Sequence, residues 1–115
     1  MRLISFALTT PQFLNGSKTV TRRLGWANLR PGTHLMAVEK GQGIPKGGHV
    51  VRLGEIEVVS VRREFLFAID DDPADCAREG FPAFTPVEFV AFFCKHNRCD
   101  VNTVVTRIEF RRMPA

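Results

Sequence analysis

The chain has 115 residues, which fits one domain with its own hydrophobic core and leaves little room for a second. Hydrophobic residues make up 44% and charged residues 24%, ordinary values for a soluble globular protein, and no apolar run approaches the roughly 20 residues that a membrane span needs. The net charge of +4 permits an anionic partner such as nucleic acid without requiring one.

The N-terminal segment and the cysteine content indicate the compartment. Residues 1–8 combine a positive charge with apolar side chains, but Ser5 interrupts the apolar stretch and no small-residue cleavage site follows, so a strand is favoured over a signal peptide. Three cysteines in a chain without a secretory signal favour a reducing cytosol. We predict a cytoplasmic protein with no membrane partner.

The N-terminal part is predicted to contain three strands and one short helix. Thr10 can cap this helix, Pro11 suits its first turn and Gly16 suits a left-handed end. A loop over residues 25–32 precedes the third strand and carries the only tryptophan, Trp26. The strands and the helix are predicted, in chain order, over residues 2–8, 10–16, 18–24 and 34–39.

The middle of the chain combines a glycine-rich loop with a long extended segment. The loop, over residues 41–48, lacks the third glycine and the following helix of a phosphate-binding loop, so we interpret it as a hairpin or rim loop. The extended segment covers residues 49–63, with Gly54 as a candidate bulge. The acidic run Asp70-Asp71-Asp72-Pro73 then predicts the start of a short helix that ends near Gly80.

A second helix and a final strand complete the chain. Thr85-Pro86-Val87-Glu88 is a capping box with proline at the first helical position. The apolar stripe of this helix is predicted to comprise Val87, Val90, Ala91 and Cys94, widened by Phe89 and Phe93. Residues 103–111 alternate, which predicts a strand with one face formed by Val104, Thr106, Ile108 and Phe110 and the other by Val105, Arg107, Glu109 and Arg111.

These elements predict the fold class. Five or six strands with few long helices between them are typical of an α+β protein built on a small twisted barrel, with short helices at its rim.

The run from Gly16 to Arg23 is the most informative stretch of the sequence. Alternate side chains of a strand share a face, so Thr19, Thr21 and Arg23 should project together, with Lys18 leaning over the same spot. A hydroxyl between two cations suits a polar or anionic ligand or an activated nucleophile. The alternative is a solvated turn followed by a basic strand.

The pattern Gly16-x-Lys18-x-x-Thr21-x-Arg23 resembles the signature of the ASCH family, small domains with a PUA-like β-barrel. The order of helix, motif strand, Pro-Gly turn, central β region, helical insert and final strand is similar over nearly the whole chain. The resemblance implies a single ASCH domain over residues 1–115, a small PUA-like mixed β-barrel, and an association with RNA binding and RNA metabolism.

One bacterial branch of the family, with threonine where many members carry glutamate, hydrolyses acetylated cytidine. Its catalytic set of lysine, threonine and a glutamate in the helical insert is matched here by Lys18, Thr21 and Glu79. The resemblance implies that Thr21 is the nucleophile, that Lys18 takes its proton, and that Glu79 orients Lys18 or protonates the leaving amine. Arg22, Trp26 and the longer glycine-rich loop depart from that branch.

Five further residues are predicted to bind a nucleic acid or another ligand: Arg22, Arg23, Trp26, Arg62 and Arg63. Arg23 could hold a phosphate or stabilise oxyanion charge. Trp26 could stack on a base, or it could anchor its loop on the core. Arg62 and Arg63 are expected to join an outer basic face with Arg107, Arg111 and Arg112, which either follows a phosphate backbone or is merely solvated.

No metal or other cofactor is predicted. Cys94, His96 and Cys99 suggest zinc ligands, but no paired Cys-x-x-Cys accompanies them. The acidic run at residues 70–72 is better explained as a helix start, since a proline directly follows it.

The sequence therefore predicts a cytoplasmic domain that recognises RNA, a nucleotide or a modified nucleoside, with hydrolysis of an acylated nucleobase amide as the favoured chemistry. The alternatives are a non-catalytic RNA-binding module, a metal-dependent ribonuclease and a protein-interaction adaptor.

Overall fold

The computed structural model describes residues 1–41, 43–44 and 46–114. In these residues five strands and three α-helices follow one another, with a 3₁₀ helix between the fourth strand and the second helix. Two positions of the predicted glycine-rich loop, Gln42 and Pro45, lie outside the described residues. The elements are β1 Leu3–Ser5, α1 Thr10–Leu14, β2 Val20–Arg23, β3 His34–Val38, β4 Arg52–Phe65, the 3₁₀ helix Leu66–Asp71, α2 Asp75–Arg78, α3 Pro86–Asn97 and β5 Val104–Arg112.

The strands form one mixed sheet in the order β1-β3-β4-β5-β2. β1 runs parallel to β3, and the other three pairs are antiparallel. The long β4 pairs with both β3 and β5, and its register slips twice: once beside Gly54, as the sequence predicts, and once at Val59. Such bulges increase strand twist and let a sheet curl.

The two edge strands approach each other as the sheet curls. The Arg23 guanidinium, on β2, donates a hydrogen bond of 2.5 Å to the backbone carbonyl of Ser5 on β1. The observed architecture is therefore the predicted one: an α+β fold in which a small, curved mixed sheet carries short helices at its rim.

Two hydrophobic clusters fill the molecule. The first lies inside the curled sheet around three neighbouring rings, with centroids 4.9–6.0 Å apart: Phe6, Phe13 and Phe110. The second joins the helical region between β4 and β5 to the sheet, and comprises Leu66, Ile69, Cys76, Phe89, Val90, Phe93 and Val105. β5 contributes Ile108 and Phe110 to the first cluster and Val105 to the second, so both faces of this strand are covered.

The boundaries of β1 and α1 in the structure differ from the predicted ones. β1 ends at Ser5, because the chain turns after Phe6, whose amide still bonds to the Val38 carbonyl. Thr9 rather than Thr10 occupies the N-cap of α1, and the Thr10 hydroxyl instead donates to the Phe6 carbonyl.

The acidic run was expected to begin a helix and instead ends one. Asp70 and Asp71 complete the 3₁₀ helix, and Asp72 follows as its C-cap. Pro73 has no amide proton to continue the ladder, so a new helix starts only at Asp75.

The start of α3 is confirmed, and its predicted apolar stripe is confirmed at Phe89, Val90 and Phe93 but wrong at Val87 and Ala91. Thr85 and Glu88 form the capping box through hydrogen bonds of 3.0 and 3.3 Å. Val87 is 75% exposed and Ala91 is also exposed. The buried face is centred on Phe89, Val90 and Phe93, since two phenylalanines remove more apolar surface from water than a valine and an alanine.

No helix among the described residues is long and apolar enough to cross a membrane.

Gly80 lies in the turn after α2 and packs closely against Gln12 and Lys18, and we expect its replacement by alanine to destabilise the protein. Its φ is +99°, and an added Cβ would lie 3.0 Å from the Gln12 Cβ and 3.5 Å from the Lys18 Cβ. Gly32 is the matched control, because its φ is +87° and a Cβ there would meet nothing within 4 Å. The left-handed conformation should cost Gly32→Ala about 1–2 kcal/mol. Overpacking should cost Gly80→Ala about 1–3 kcal/mol more. Urea unfolding measures the loss of unfolding free energy in each variant. Equal losses in Gly32→Ala and Gly80→Ala would contradict the packing argument.

Candidate functional site

A cavity of about 250 Å³ lies between β2, the turn after β1, and α3. Its polar side is formed by Lys18, Thr21, Arg22, Arg23 and Glu79. Its apolar side is formed by five phenylalanines, some of which belong to the two hydrophobic clusters: Phe6, Phe81, Phe89, Phe92 and Phe93. The motif and the glutamate of the helical insert therefore open onto the same space.

Lys18 is a buried cation held by one residue. Only 4% of Lys18 is exposed, and its Nζ donates to the Glu79 carbonyl at 2.7 Å and to the Glu79 Oε1 at 3.0 Å. Burial, with smaller contributions from Arg23 and Arg22, lowers the pKa of Lys18 below its usual value, although the Glu79 carboxylate opposes the change. The structure thus brings Lys18 and Glu79 into direct contact across 61 positions of sequence.

Glu79 also binds Arg22. One terminal nitrogen of the Arg22 guanidinium donates to the Glu79 Oε2 at 3.0 Å, and the other donates to the Asp75 Oδ2 at 2.5 Å. Arg22 was predicted to bind a ligand, and the structure directs its terminal nitrogens to these carboxylates, with 4% of the residue exposed. Its Nε finds no hydrogen-bond partner among the described residues.

Asp75 is the centre of the surrounding ion network. It is fully buried, and besides Arg22 it accepts two hydrogen bonds from Arg107, at 2.8 and 2.9 Å, and one from Arg78 at 2.9 Å. Burial by itself would raise the pKa of Asp75, but the hydrogen bonds from Arg107, Arg78 and Arg22 outweigh it and hold the pKa well below its usual range. The hydrogen bond with Asp75 also raises the pKa of Arg107.

The other face of β2 carries Thr21 and Arg23. Thr21 is 3% exposed, and its Oγ1 accepts a hydrogen bond of 2.9 Å from the Arg23 Nε. Burial lowers the pKa of Arg23 to about 10, with Glu79 opposing the change, so this guanidinium stays cationic at neutral pH. Within the described residues Thr21 makes no hydrogen bond to Lys18, and its hydroxyl proton is not engaged by Arg23, which is itself a donor.

Three predicted binding residues lie away from this cavity. Trp26 lies against the Arg2 guanidinium, 3.6 Å from the ring centroid, in a separate hollow of about 470 Å³. Arg62 is paired with Glu64 at 2.5 Å, and Arg63 donates to the Thr106 hydroxyl and to the backbone of the loop after β2.

Two expectations about shared faces are wrong. Thr19 precedes β2 and is exposed, so it does not join Thr21 and Arg23. Arg107 does not belong to an outer basic face, because it is 8% exposed and bound to Asp75. The alternating pattern does not distinguish the buried Arg107 from the exposed Arg111 of the same strand, and the need for a carboxylate partner follows only once Arg107 is seen to be buried.

The sequence interpretation missed Asp75 as a network residue and the aromatic wall. Phe92 and His96 lie one turn apart on α3, with ring centroids 4.5 Å apart, and both line the cavity. At the end of the same helix the Cys94 and Cys99 sulfurs are 3.9 Å apart. In the described ranges no group of three or more His, Cys, Asp or Glu side chains is arranged to hold a metal ion.

The fold resembles solved structures. A protein of the DUF984 family from Enterococcus faecalis V583 superposes with a TM-score of 0.60 at 12% identity, over 92% of this chain and 70% of that chain. An ASCH domain from Lactobacillus crispatus JV V101 superposes with a TM-score of 0.54 at 13% identity, over 96% of this chain and 79% of that chain. No protein-family model matches the chain, and no curated protein matches it. The chain therefore has an ASCH-type fold, as the sequence motif predicts.

Asp75 should make the stability of the protein dependent on acid pH. Because its pKa is depressed in the folded state, its stabilisation is present above the unfolded value of about 3.9 and is lost as the pH falls below it. At pH 7 the Asp75→Asn variant should lose about 3–5 kcal/mol of unfolding free energy, since buried arginines lose their counter-charge. The difference in unfolding free energy between the wild type and Asp75→Asn should become smaller as the pH falls below about 4. Urea unfolding of both proteins from pH 3 to 7 measures this difference. A difference that does not change with pH would contradict the depressed pKa of Asp75.

Proposed function

We propose that this domain binds a modified nucleobase in the cavity and hydrolyses its acyl amide, with acetylcytidine as the reference substrate. The observation that carries the proposal is the burial of Lys18 against Glu79 at the wall of the same small cavity as Thr21 and Arg23. This is the residue set that the resemblance to the acetylcytidine-hydrolysing branch implies.

The size and lining of the cavity favour a small, flat ligand. A volume of about 250 Å³ lies below the roughly 300–1,000 Å³ of pockets for drug-sized molecules. Phenylalanine faces suit the stacking of a base. The lining includes the Lys18 amine, two guanidinium groups, Arg22 and Arg23, and one carboxylate, Glu79, so the charge of the lining is positive even when Lys18 is neutral. This positive charge suits the binding of an acyl carbonyl, because its oxygen gains negative charge when a nucleophile attacks the carbonyl carbon.

The chemistry follows the roles of an activated hydroxyl and a nearby base. Lys18, in its neutral form, accepts the Thr21 proton directly or through one water while the Thr21 Oγ1 attacks the acyl carbon. Collapse of the tetrahedral intermediate breaks the C–N bond, and the Lys18 ammonium returns the proton to the leaving exocyclic amine. Water then hydrolyses the threonine ester and releases acetate. Arg23, already 2.9 Å from the Thr21 hydroxyl, stabilises the oxyanion.

The substrate is a nucleoside or the same acylated base within RNA. Both present one base to the cavity, so the two sources are compared directly with free acetylcytidine and with a short acetylated oligoribonucleotide. A preference for the oligonucleotide that weakens as salt is added would indicate phosphate contacts outside the cavity.

The first experiment is turnover of acetylcytidine to cytidine and acetate, followed by chromatography. Thr21→Val removes the hydroxyl at nearly constant shape and should lower kcat by at least about 1,000-fold, as expected for a nucleophile. Thr19→Val is the matched control, because Thr19 is exposed two residues away, and it should keep wild-type activity. Lys18→Met should likewise abolish turnover.

Binding measured by calorimetry separates recognition from catalysis. If Thr21→Val binds acetylcytidine with near wild-type affinity and does not turn it over, the nucleophile is assigned. A folded wild-type protein that binds acetylcytidine or RNA without forming a product would reject hydrolysis and identify a recognition module. Loss of activity in Thr19→Val and Thr21→Val alike would contradict the assigned nucleophile.

A further inference from the structure

Arg22 and Arg107 face each other directly across β2 and β5. Both side chains are buried, so two positive charges lie side by side beneath the helical insert. Like charges directly opposite each other in a sheet are destabilising. Asp75 lies between them, with its Oδ2 accepting from both guanidinium groups.

Asp75 determines where the Arg22 guanidinium is placed. A guanidinium is planar and presents its donors in a rigid fork. When one terminal nitrogen is held by Asp75, the rigid plane restricts where the other can lie, and that second nitrogen donates to the Glu79 Oε2. The remaining Glu79 oxygen and the Glu79 carbonyl hold Lys18. A single chain of contacts thus runs from Asp75 through Arg22 and Glu79 to the Lys18 amine.

We infer that Asp75 is a positioning residue that acts through Arg22 and Glu79 to hold the Lys18 amine at the wall of the cavity. The kinetic consequence of this inference rests on the proposed function, but its effect on Lys18 does not. Asp75 itself is not among the residues that line the cavity.

The charges around this chain of contacts determine the sign of the expected effect. Asp75 is faced by Arg22 from β2, Arg107 from β5 and Arg78 from its own helix, and Glu64 from β4 lies 3.5 Å from Arg22. Lys18 is faced by Glu79, Arg22 and Arg23. Replacing Asp75 by asparagine removes a negative charge from this cluster and leaves one terminal nitrogen of Arg22 without its carboxylate. We expect the Arg22 guanidinium then to shift and to draw the Glu79 carboxylate away from Lys18. Both changes destabilise the Lys18 ammonium, so its pKa should fall.

The first test measures Lys18 without any substrate. The protein contains four lysines: Lys18, Lys40, Lys46 and Lys95. A sample labelled with ¹³C-lysine therefore gives few Cε signals in an NMR spectrum, and the signal that is missing in Lys18→Met belongs to Lys18. In Asp75→Asn the Lys18 titration should move to lower pH by about one unit. Asp72→Asn is the matched control, because within the described ranges the Asp72 carboxylate pairs with the exposed Arg78 alone, and the Lys18 titration of this variant should not move. An unchanged Lys18 titration in folded Asp75→Asn would overturn the inference.

A second variant covers the case in which Asp75→Asn does not fold. Arg22→Lys keeps the positive charge, but a single ammonium on a shorter stem cannot bridge Asp75 and Glu79. Glu79 should then leave Lys18, and the Lys18 titration should again move to lower pH. A titration identical to that of the wild type in Arg22→Lys would also overturn the inference.

The kinetic test uses acetylcytidine. A displaced Lys18 should lower kcat in Asp75→Asn by about 100-fold with little change in KM. The pH at which kcat rises should follow the Lys18 titration measured by NMR, whereas a purely structural role would leave that pH unchanged. A wild-type protein with no turnover rejects the proposed function, and the NMR titration then still decides the role of Asp75.

Discussion

The buried carboxylate of Asp75 is the interaction on which the rest of this structure depends. β2 and β5 place Arg22 and Arg107 opposite each other, and one α2 carboxylate accepts hydrogen bonds from both. The helical insert is therefore held on the sheet by ion pairs as well as by the second hydrophobic cluster. Such networks gain little over apolar packing in stability, and their clearest use is to fix one arrangement among several. Here the arrangement that is fixed is the contact between Glu79 and Lys18.

The alternation of β2 allows one short strand to serve two purposes. Thr21 and Arg23 turn towards the cavity and the edge of β1, while Arg22, between them, turns towards the insert. Because neighbouring side chains of a strand point to opposite faces, a change of strand register by one residue would exchange these two sets. The antiparallel register with β5, in which Thr21 pairs with Ile108, is thus as important to the site as the identity of the residues.

The cavity combines the two hydrophobic clusters with this charged strand. Phe6 belongs to the cluster inside the sheet, and Phe89 and Phe93 belong to the cluster beneath α3. Low polarity on these sides strengthens the electrostatic effect of Lys18 and Arg23 on anything bound between them. The solved structures share the fold at 12% and 13% identity, so they support the architecture alone. The function has to be argued from the side chains of the cavity.

Local patterns in the sequence determined the elements that local physics controls. The capping box at Thr85, the irregularity at Gly54 and the shared face of Thr21 and Arg23 depend on residues within a few positions of each other, and the structure has all three. The ASCH-type motif also predicted the fold, because its order of elements extends along the chain.

Only the tertiary structure decided which distant residues meet. The partners of Lys18, Arg22 and Arg107 lie 61, 53 to 57 and 32 positions away, and no local pattern records such distances. The same is true of the exposure of Val87 and Ala91 on α3, of the phenylalanine wall of the cavity, and of the separate position of Trp26. Each follows from how the sheet curls and where the insert packs on it, because burial and charge pairing are satisfied only when the whole chain is folded.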